Sequence, residues 1–526
     1  MIHIAHFLRN HLVRWKKISF LLLILIIFYV FQIKYFEKSI FNIQFVDEDD
    51  NFVTGAWILK GQKLYKDVFF QHQPAATYIS AAVQKAVKPN SIYLLVKRHR
   101  EFVYLYTAFA FILLTIRFGF VGFITGIIYG ITKFYLLGNL FLAETIAIPP
   151  LLFIIGIIFE TIYRKKNIST RLDLIIVLIS IFFIQATLLP LLPFTIVSFC
   201  IVWYLSSKSL RRLILKLTGI YLLFAFVFFF KLAPLFDYLR DTVFITSTQN
   251  IPAEVDSLGS FTARFFFYPI LSLTFQNNGF FLFFKILSLI FIISLLFLLK
   301  RKRYSFASFS ILFFWLVNLR PAPFGLFYSG FHLLPMYGAL LFLTILNVNL
   351  VILESKTKIQ KISAISVFFG LLILLSLLMY KKETISVSDN ESSFYVNYST
   401  KFDYGEAVRL LSEPRDKLVT GSSESLIYWQ SQLLPGSHFF YTYGFMYKSE
   451  TLRREISDDF SRNLPKFFYY SDDMDKDLIY GNQANYYFNV FLRGKHSRLY
   501  ILKSLLLEIT DYKWKEVEKL GFTKEI

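Results

Sequence analysis

The sequence predicts an all-α polytopic membrane protein of about eleven spanning helices, by the length criterion for a spanning run, followed by a small extracytoplasmic α/β domain. Three observations predict it. The 526 residues are 55% hydrophobic and only 17% charged, far more apolar than the usage of soluble domains. Apolar runs near the roughly 20 residues that a spanning helix needs recur from residue 18 to residue 380. The loops between them alternate in charge, as the positive-inside rule requires.

The formal net charge of +20 raises the question of nucleic acid. The basic residues punctuate apolar runs instead of gathering on one face with interleaved aromatics, so they report topology. A single cysteine, Cys200, lies inside an apolar run. It offers neither a disulfide framework nor a thiolate metal cluster.

The first apolar run, 18–36, lacks a small-residue cleavage site and reads as a retained anchor. Arg9, Arg14, Lys16 and Lys17 precede it and place the N-terminus in the cytoplasm. A long first outer loop, 37–101, follows. Further spans are expected near 102–118, 120–137, 144–162, 172–188, 190–206, 213–230, 279–299, 304–319, 326–346 and 362–380.

The basic loops 163–171, 207–216, 300–303 and 356–361 all fall on the cytoplasmic side of this topology. Asp47 to Asp50, Asp67, Glu144, Asp237, Asp241, Glu254 and Asp256 fall on the other. One outer stretch, 96–101 ("VKRHRE"), is basic and breaks the rule. The segment 264–275 is too short to cross and reads as interfacial. These runs make residues 1–380 a transmembrane module in the cytoplasmic (inner) membrane.

Residues 381–526 contain no spanning run, and an odd number of spans puts them outside. "DKLVTG", "SESLIYWQSQ", "SETLRREISDDFSRNL" and "PKFFYY" alternate strand-like and helix-like periodicity, hence the α/β expectation. No GxGxxG follows the first of these strands, which argues against a nucleotide site.

The chemistry concentrates in "DEDDNFVTGAWILKGQKLYKDVFFQHQPAATYISA". Acids at a helix start complement the helix dipole, and Glu48, Asp49 and Asp50 are open to that reading. Asp47 follows the apolar "FNIQFV" directly, which fits a carboxylate base held at headgroup depth.

This stretch resembles the first outer loop of the GT-C integral-membrane glycosyltransferases, in particular the bacterial protein mannosyltransferase and aminoarabinose transferase group. The resemblance rests on Asp47-Glu48, on Gly61 with Tyr65 and Asp67, and on His72 with Pro74. It implies transfer of a sugar, with inversion, from a polyprenyl-phosphate donor to an extracytoplasmic glycan, lipid or protein acceptor. Asp47 would be the catalytic base, with Glu48 beside it. Tyr65, Asp67, His72 and Glu144 would bind substrate. Arg320 and His332, with Lys85, Arg98 and Arg100 as weaker candidates, would hold the donor phosphate.

Such a reaction needs few residues. A polyprenyl phosphate leaves with its charge already stabilised, so one base and a few cations suffice, whereas a glycosidase needs two carboxylates. A divalent metal could sit on the donor phosphate, with Glu48, Glu144 and His72 as candidate ligands. No tight ligand spacing is present, so the metal stays unassigned.

Two other classes share the membrane. A transporter would show internal repeats and charged residues in mid-span, and neither is evident. A lipid-linked glycan polymerase or ligase would place its large loop late in the chain.

Overall fold

The structure is a computed structural model that describes residues 2–164, 168, 170–250, 258–274, 279–320, 327–354, 370, 390–421, 424–441, 446, 449–462, 464–470 and 481–524. The expected span 362–380 and the basic loop 356–361 lie outside the described residues. Every other expected span coincides with helix. These are α1 (Ile2–Ser39), α4 (Ile92–Phe118), α5 (Phe120–Thr132), α6 (Ala143–Arg164), α7 (Arg171–Thr187), α8 (Leu192–Tyr204) and α9 (Lys208–Lys231), then α11 (Gly279–Lys300), α12 (Tyr304–Val317) and α13 (Leu334–Leu353). Six helical stretches, 15–39, 92–118, 143–164, 208–231, 280–300 and 330–353, are long and apolar enough to cross a membrane. Shorter apolar helices accompany them, and the chain is a multi-pass membrane protein.

Helix α4 starts at Ile92, ten residues before the apolar run does. The charges of "VKRHRE" end the hydropathy signal, but Lys, Arg and Glu are good helix formers and the helix runs through them.

The chain divides into two interleaved compact units. One comprises 1–39, 100–222 and 257–388; the other comprises 40–99, 223–256 and 389–526.

In the first unit α6 and α13 form the centre, their apolar windows 83% buried; the apolar window of α9, a helix shared between the two units, is only 6% buried. Phe224, Phe226 and Phe230 of α9 are two-thirds or more exposed, as lipid-facing residues are. Gly338 lets α13 approach Ile148 of α6; a Cβ there would stand 3.1 Å from the isoleucine.

Two proline-broken helices are repaired from outside. Pro150 inside α6 cannot bond the Ile146 carbonyl, and the Tyr106 hydroxyl donates to it at 2.9 Å. In α10 (Leu258–Leu271), which covers most of the expected interfacial segment, Pro269 frees the Phe265 carbonyl, and Asn318 Nδ2 donates to it at 2.8 Å. Each repair fixes the backbone beside a candidate site residue, Glu144 and Arg320 respectively.

In the second unit α2 (Val46–Leu59) and α3 (Pro74–Val87) pack closely. Gly55 permits it, since a Cβ would lie 2.8 Å from Ser80 Oγ. The C-terminal part has α14 (Asn390–Leu411), α15 (Leu426–Ser431), α16 (Glu450–Arg462) and α17 (Asp511–Glu518) around a six-stranded sheet. Its strands are β1 (Lys417–Thr420), β2 (Leu434–Pro435), β3 (Phe467–Tyr469), β4 (Tyr487–Leu492), β5 (Lys495–Leu502) and β6 (Phe522–Thr523), in the order β2-β1-β3-β5-β4-β6. β1 runs parallel to β2 and β3, and the remaining pairs are antiparallel. Arg493 and Gly494, with φ of 49° and 73°, make the two-residue turn of the β4–β5 hairpin, which needs positive φ at both positions.

Candidate active site

In the second unit α2 opens on the acidic run. Phe45 is extended ahead of it and supplies no side-chain cap, so the carboxylates of Asp47, Glu48 and Asp49 stand in the first turn, where the helix dipole favours negative charge. Their environments differ. Glu48, Asp49 and Asp50 are buried, whereas the Asp47 side chain keeps 24% exposure. Asp50 accepts from Ser425 Oγ and Asp49 from Gln44 Nε2. Burial above all holds the Asp49 carboxyl well over the usual carboxylate range; the Gln44 bond opposes this, and the charges of Glu48 and Asp50 add to it. The Asp47 carboxylate faces His72, with 3.9 Å between Oδ1 and Nε2, and its backbone carbonyl accepts from Asn51 Nδ2 at 2.7 Å.

His72 is delivered by the loop 60–73, and the quoted motif builds that loop. Gly61 and Tyr65 both have positive φ, 89° and 68°. The Asp67 carboxylate accepts from the Lys63 amide at 2.7 Å. Tyr65 is buried edge-on against Tyr238, and its hydroxyl donates to the His72 carbonyl at 2.8 Å. The left-handed non-glycine residue thus sits directly behind the histidine.

Three residues of this unit carry signals that the sequence reading does not single out. Asp241, on a π-helical stretch (Leu239–Asn250), is buried; one oxygen accepts from the Phe70 amide at 3.2 Å and lies 3.9 Å from His438 Nε2. Burial pushes the Asp241 carboxyl up to about 8 and the His438 imidazole down to about 4. Tyr441 is buried within electrostatic reach of Asp50, Asp47 and Asp241, and burial first, then those carboxylates, raises its phenol. π-helical turns collect at functional sites, and it is the structure that shows Asp241 on one.

In the first unit Glu144, one residue into α6, gathers two distant groups. Its Oε1 lies 3.5 Å from Arg320 Nη1 and 3.4 Å from His332 Nδ1. Arg320 Nη2 stands 2.8 Å from His332 Nε2. A guanidinium only donates, so His332 Nε2 accepts, leaving Nδ1–H to point at Glu144. Nearby in sequence, Lys133 is fully buried and its Nζ meets no hydrogen-bond acceptor among the described residues. The rings of Tyr104 and Phe134 stand 5.4 and 5.7 Å from it. The turn it opens, Lys133–Leu136, contacts the 327–333 turn that carries His332.

The other cations are dispersed. Lys85 is exposed in the last turn of α3 and Arg98 is exposed on α4, while Arg100 is buried in the first unit. Among the described residues no three His, Cys, Asp or Glu side chains come together as a ligand set for a metal.

No family model and no curated protein matches the sequence. Among solved structures the chain is similar to ArnT from Cupriavidus metallidurans, in a crystal structure bound to undecaprenyl phosphate. The TM-score is 0.55 at 11% identity, over 91% of this chain and 97% of that one. In architecture, the chain has the GT-C fold that its first outer loop resembles.

Proposed function

We propose that this protein is a membrane glycosyltransferase that takes a sugar from a polyprenyl-phosphate donor and passes it, with inversion, to an acceptor on the extracytoplasmic face of the inner membrane. The observation that carries the reading is the difference among four adjacent acids. Three are buried, and Asp47 alone keeps a partly exposed side chain beside a histidine. A general base must reach its substrate. The ArnT-like fold supports the donor class, since that relative was crystallised with a polyprenyl phosphate.

In the reaction an acceptor oxygen or nitrogen attacks the anomeric carbon. The bond from that carbon to the phosphate oxygen breaks, its electron pair leaves with the phosphate, and Asp47 takes the acceptor proton. His72, 3.9 Å away, orients the Asp47 carboxylate in this reading. Arg320, which donates to the neutral His332, supplies positive charge for the leaving phosphate, and Glu144 holds the two in place. Lys133 is a further cation for that role. A metal on the donor phosphate would take Glu48, Glu144 or His72 as ligands; among the described residues no three-ligand set comes together.

The test is transfer of radiolabelled sugar from polyprenyl-phosphate donors to a total membrane extract by purified protein, wild type beside Asp47→Asn. Asp47-dependent label in one fraction establishes the reaction and its acceptor. Folded protein that transfers from no donor would shift the reading to a polymerase or transporter.

A further inference from the structure

The first unit contains a cavity of about 560 Å³ where residues 17–21 of α1 meet the end of α4, the start of α5 and the last turns of α6 and α13, a volume within the range of small-molecule sites. Its walls are mainly apolar, with Phe118, Phe159 and Leu350 among them, and Lys17, Arg117 and Glu160 stand on its polar side. These are the helix ends that the charge rule assigns to the cytoplasm.

The cavity is built, not left over. Arg117 is clamped by Glu160 of α6 (2.5 Å) and Asp173 of α7 (2.7 Å), which pins α4 to two neighbours. Gly119, at φ 60°, turns α4 into α5 in one residue. Gly156 admits the Phe118 ring, which a Cβ would meet at 2.5 Å. With Arg117 neutralised by its two acids, Lys17 is the cation at the mouth, and it is exposed.

We propose that this cavity binds one anionic glycerophospholipid of the cytoplasmic leaflet, an acyl chain among the aromatic and leucine side chains and the phosphate at Lys17. Charge complementarity selects this occupant. In sequence, Lys17 follows Arg14 and Lys16, and Arg164 ends α6 ahead of Lys165 and Lys166; each is a juxtamembrane basic run of the kind that recruits anionic lipid. The choice of leaflet rests on the topology adopted under the proposed function; lipid binding itself does not depend on glycosyl transfer.

The experiment is native mass spectrometry of the full-length protein, delipidated and then exposed in turn to phosphatidylglycerol, phosphatidylcholine and undecaprenyl phosphate. The variants are Lys17→Glu, Leu350→Trp to fill the cavity, and Lys208→Glu as a basic residue outside it. Expected is one retained phosphatidylglycerol, weakened about tenfold by Lys17→Glu, as reversing one interfacial charge predicts, abolished by Leu350→Trp and unchanged by Lys208→Glu. Should Leu350→Trp fail to fold, Lys17→Glu against Lys208→Glu decides alone. Equal retention of phosphatidylcholine, retention of undecaprenyl phosphate that Leu350→Trp abolishes, or indifference to Lys17→Glu would each overturn the proposal. A failed transfer assay with phosphatidylglycerol still retained would count against the proposed function only.

Discussion

His72 Nε2 lies 3.9 Å from Asp47 Oδ1, with about a quarter of each side chain open to solvent. Such a pair can exchange partners with an acceptor without unfolding its surroundings. Asp47→Asn keeps the shape and the helix start but removes the base, so transfer should fall by about 10²- to 10⁴-fold with thermal stability unchanged. His72→Gln should cost less, because it disturbs orientation and leaves the carboxylate. Initial rates of label transfer beside melting curves decide both; full activity in Asp47→Asn ends the assignment.

Lys133 makes a sharper separation of function from stability. A buried ammonium that, among the described residues, faces the rings of Tyr104 and Phe134 and meets no hydrogen-bond acceptor is costly to the fold. Lys133→Met should therefore melt at or above the wild-type temperature. If the lysine holds the donor phosphate, the same variant should raise the donor KM about tenfold or more, as loss of a charged hydrogen bond does. A variant that melts higher with an unchanged donor KM would make the lysine structurally and functionally dispensable.

These two residues also mark how far the sequence can be read. The spans are legible because a run of lipid-facing and core side chains needs no partner to be recognised, and Asp47 draws notice because it follows the short apolar stretch "FNIQFV". Lys133 is not legible, since a lysine near the end of the expected span 120–137 reads as a cation that snorkels to the interface until its burial is seen. Asp241 and His438 are 197 positions apart in the chain, and no local pattern pairs them. The β4–β5 hairpin hides for a similar reason: its turn is Arg493-Gly494 instead of the usual Asn-Gly signal. The grouping of 40–99 with 389–526 in one compact unit likewise exists only in three dimensions.

Glu144 accepts from both Arg320 and His332, so its charge sets where they point. Glu144→Gln retains the volume and part of the hydrogen bonding but frees the guanidinium. The expected result is a rise in donor KM of about tenfold, of the order of one charged hydrogen bond, with the acceptor KM unaffected. Steady-state kinetics with donor and acceptor varied separately measures this, and equal effects on both would remove the phosphate role of the trio.

Gly55 tests the scaffold under the acidic run. An added methyl would sit 2.8 Å from Ser80 Oγ and 3.0 Å from the Ala81 amide nitrogen. Backbone cannot yield as a flexible side chain can. Gly55→Ala should cost about 1–3 kcal/mol, the usual price of overpacking, seen as a lower melting temperature. An unchanged melting temperature would mean that α2 and α3 separate without penalty.

Asp241 predicts a pH dependence whose direction is fixed. Its carboxyl titrates near 8 when folded, raised by burial despite the Phe70 amide and Arg240, with Asp237 and Glu455 adding to the rise. Between about pH 4 and 8 the folded chain keeps a proton that the unfolded chain releases, so this residue's contribution to stability is lost as pH rises through that window. His438 acts oppositely. Its imidazole titrates near 4 when folded, lowered by burial and by Arg240 against Asp459 and Asp67, so stability is lost as pH falls from 6.5 towards 4. Above pH 6.5 only the aspartate contributes a slope from this pair. Asp241→Asn mimics the protonated acid at every pH. Its melting temperature relative to wild type should therefore climb steadily from pH 6.5 to 8, and a difference that stays flat across that range would show that the folded carboxyl is already ionised.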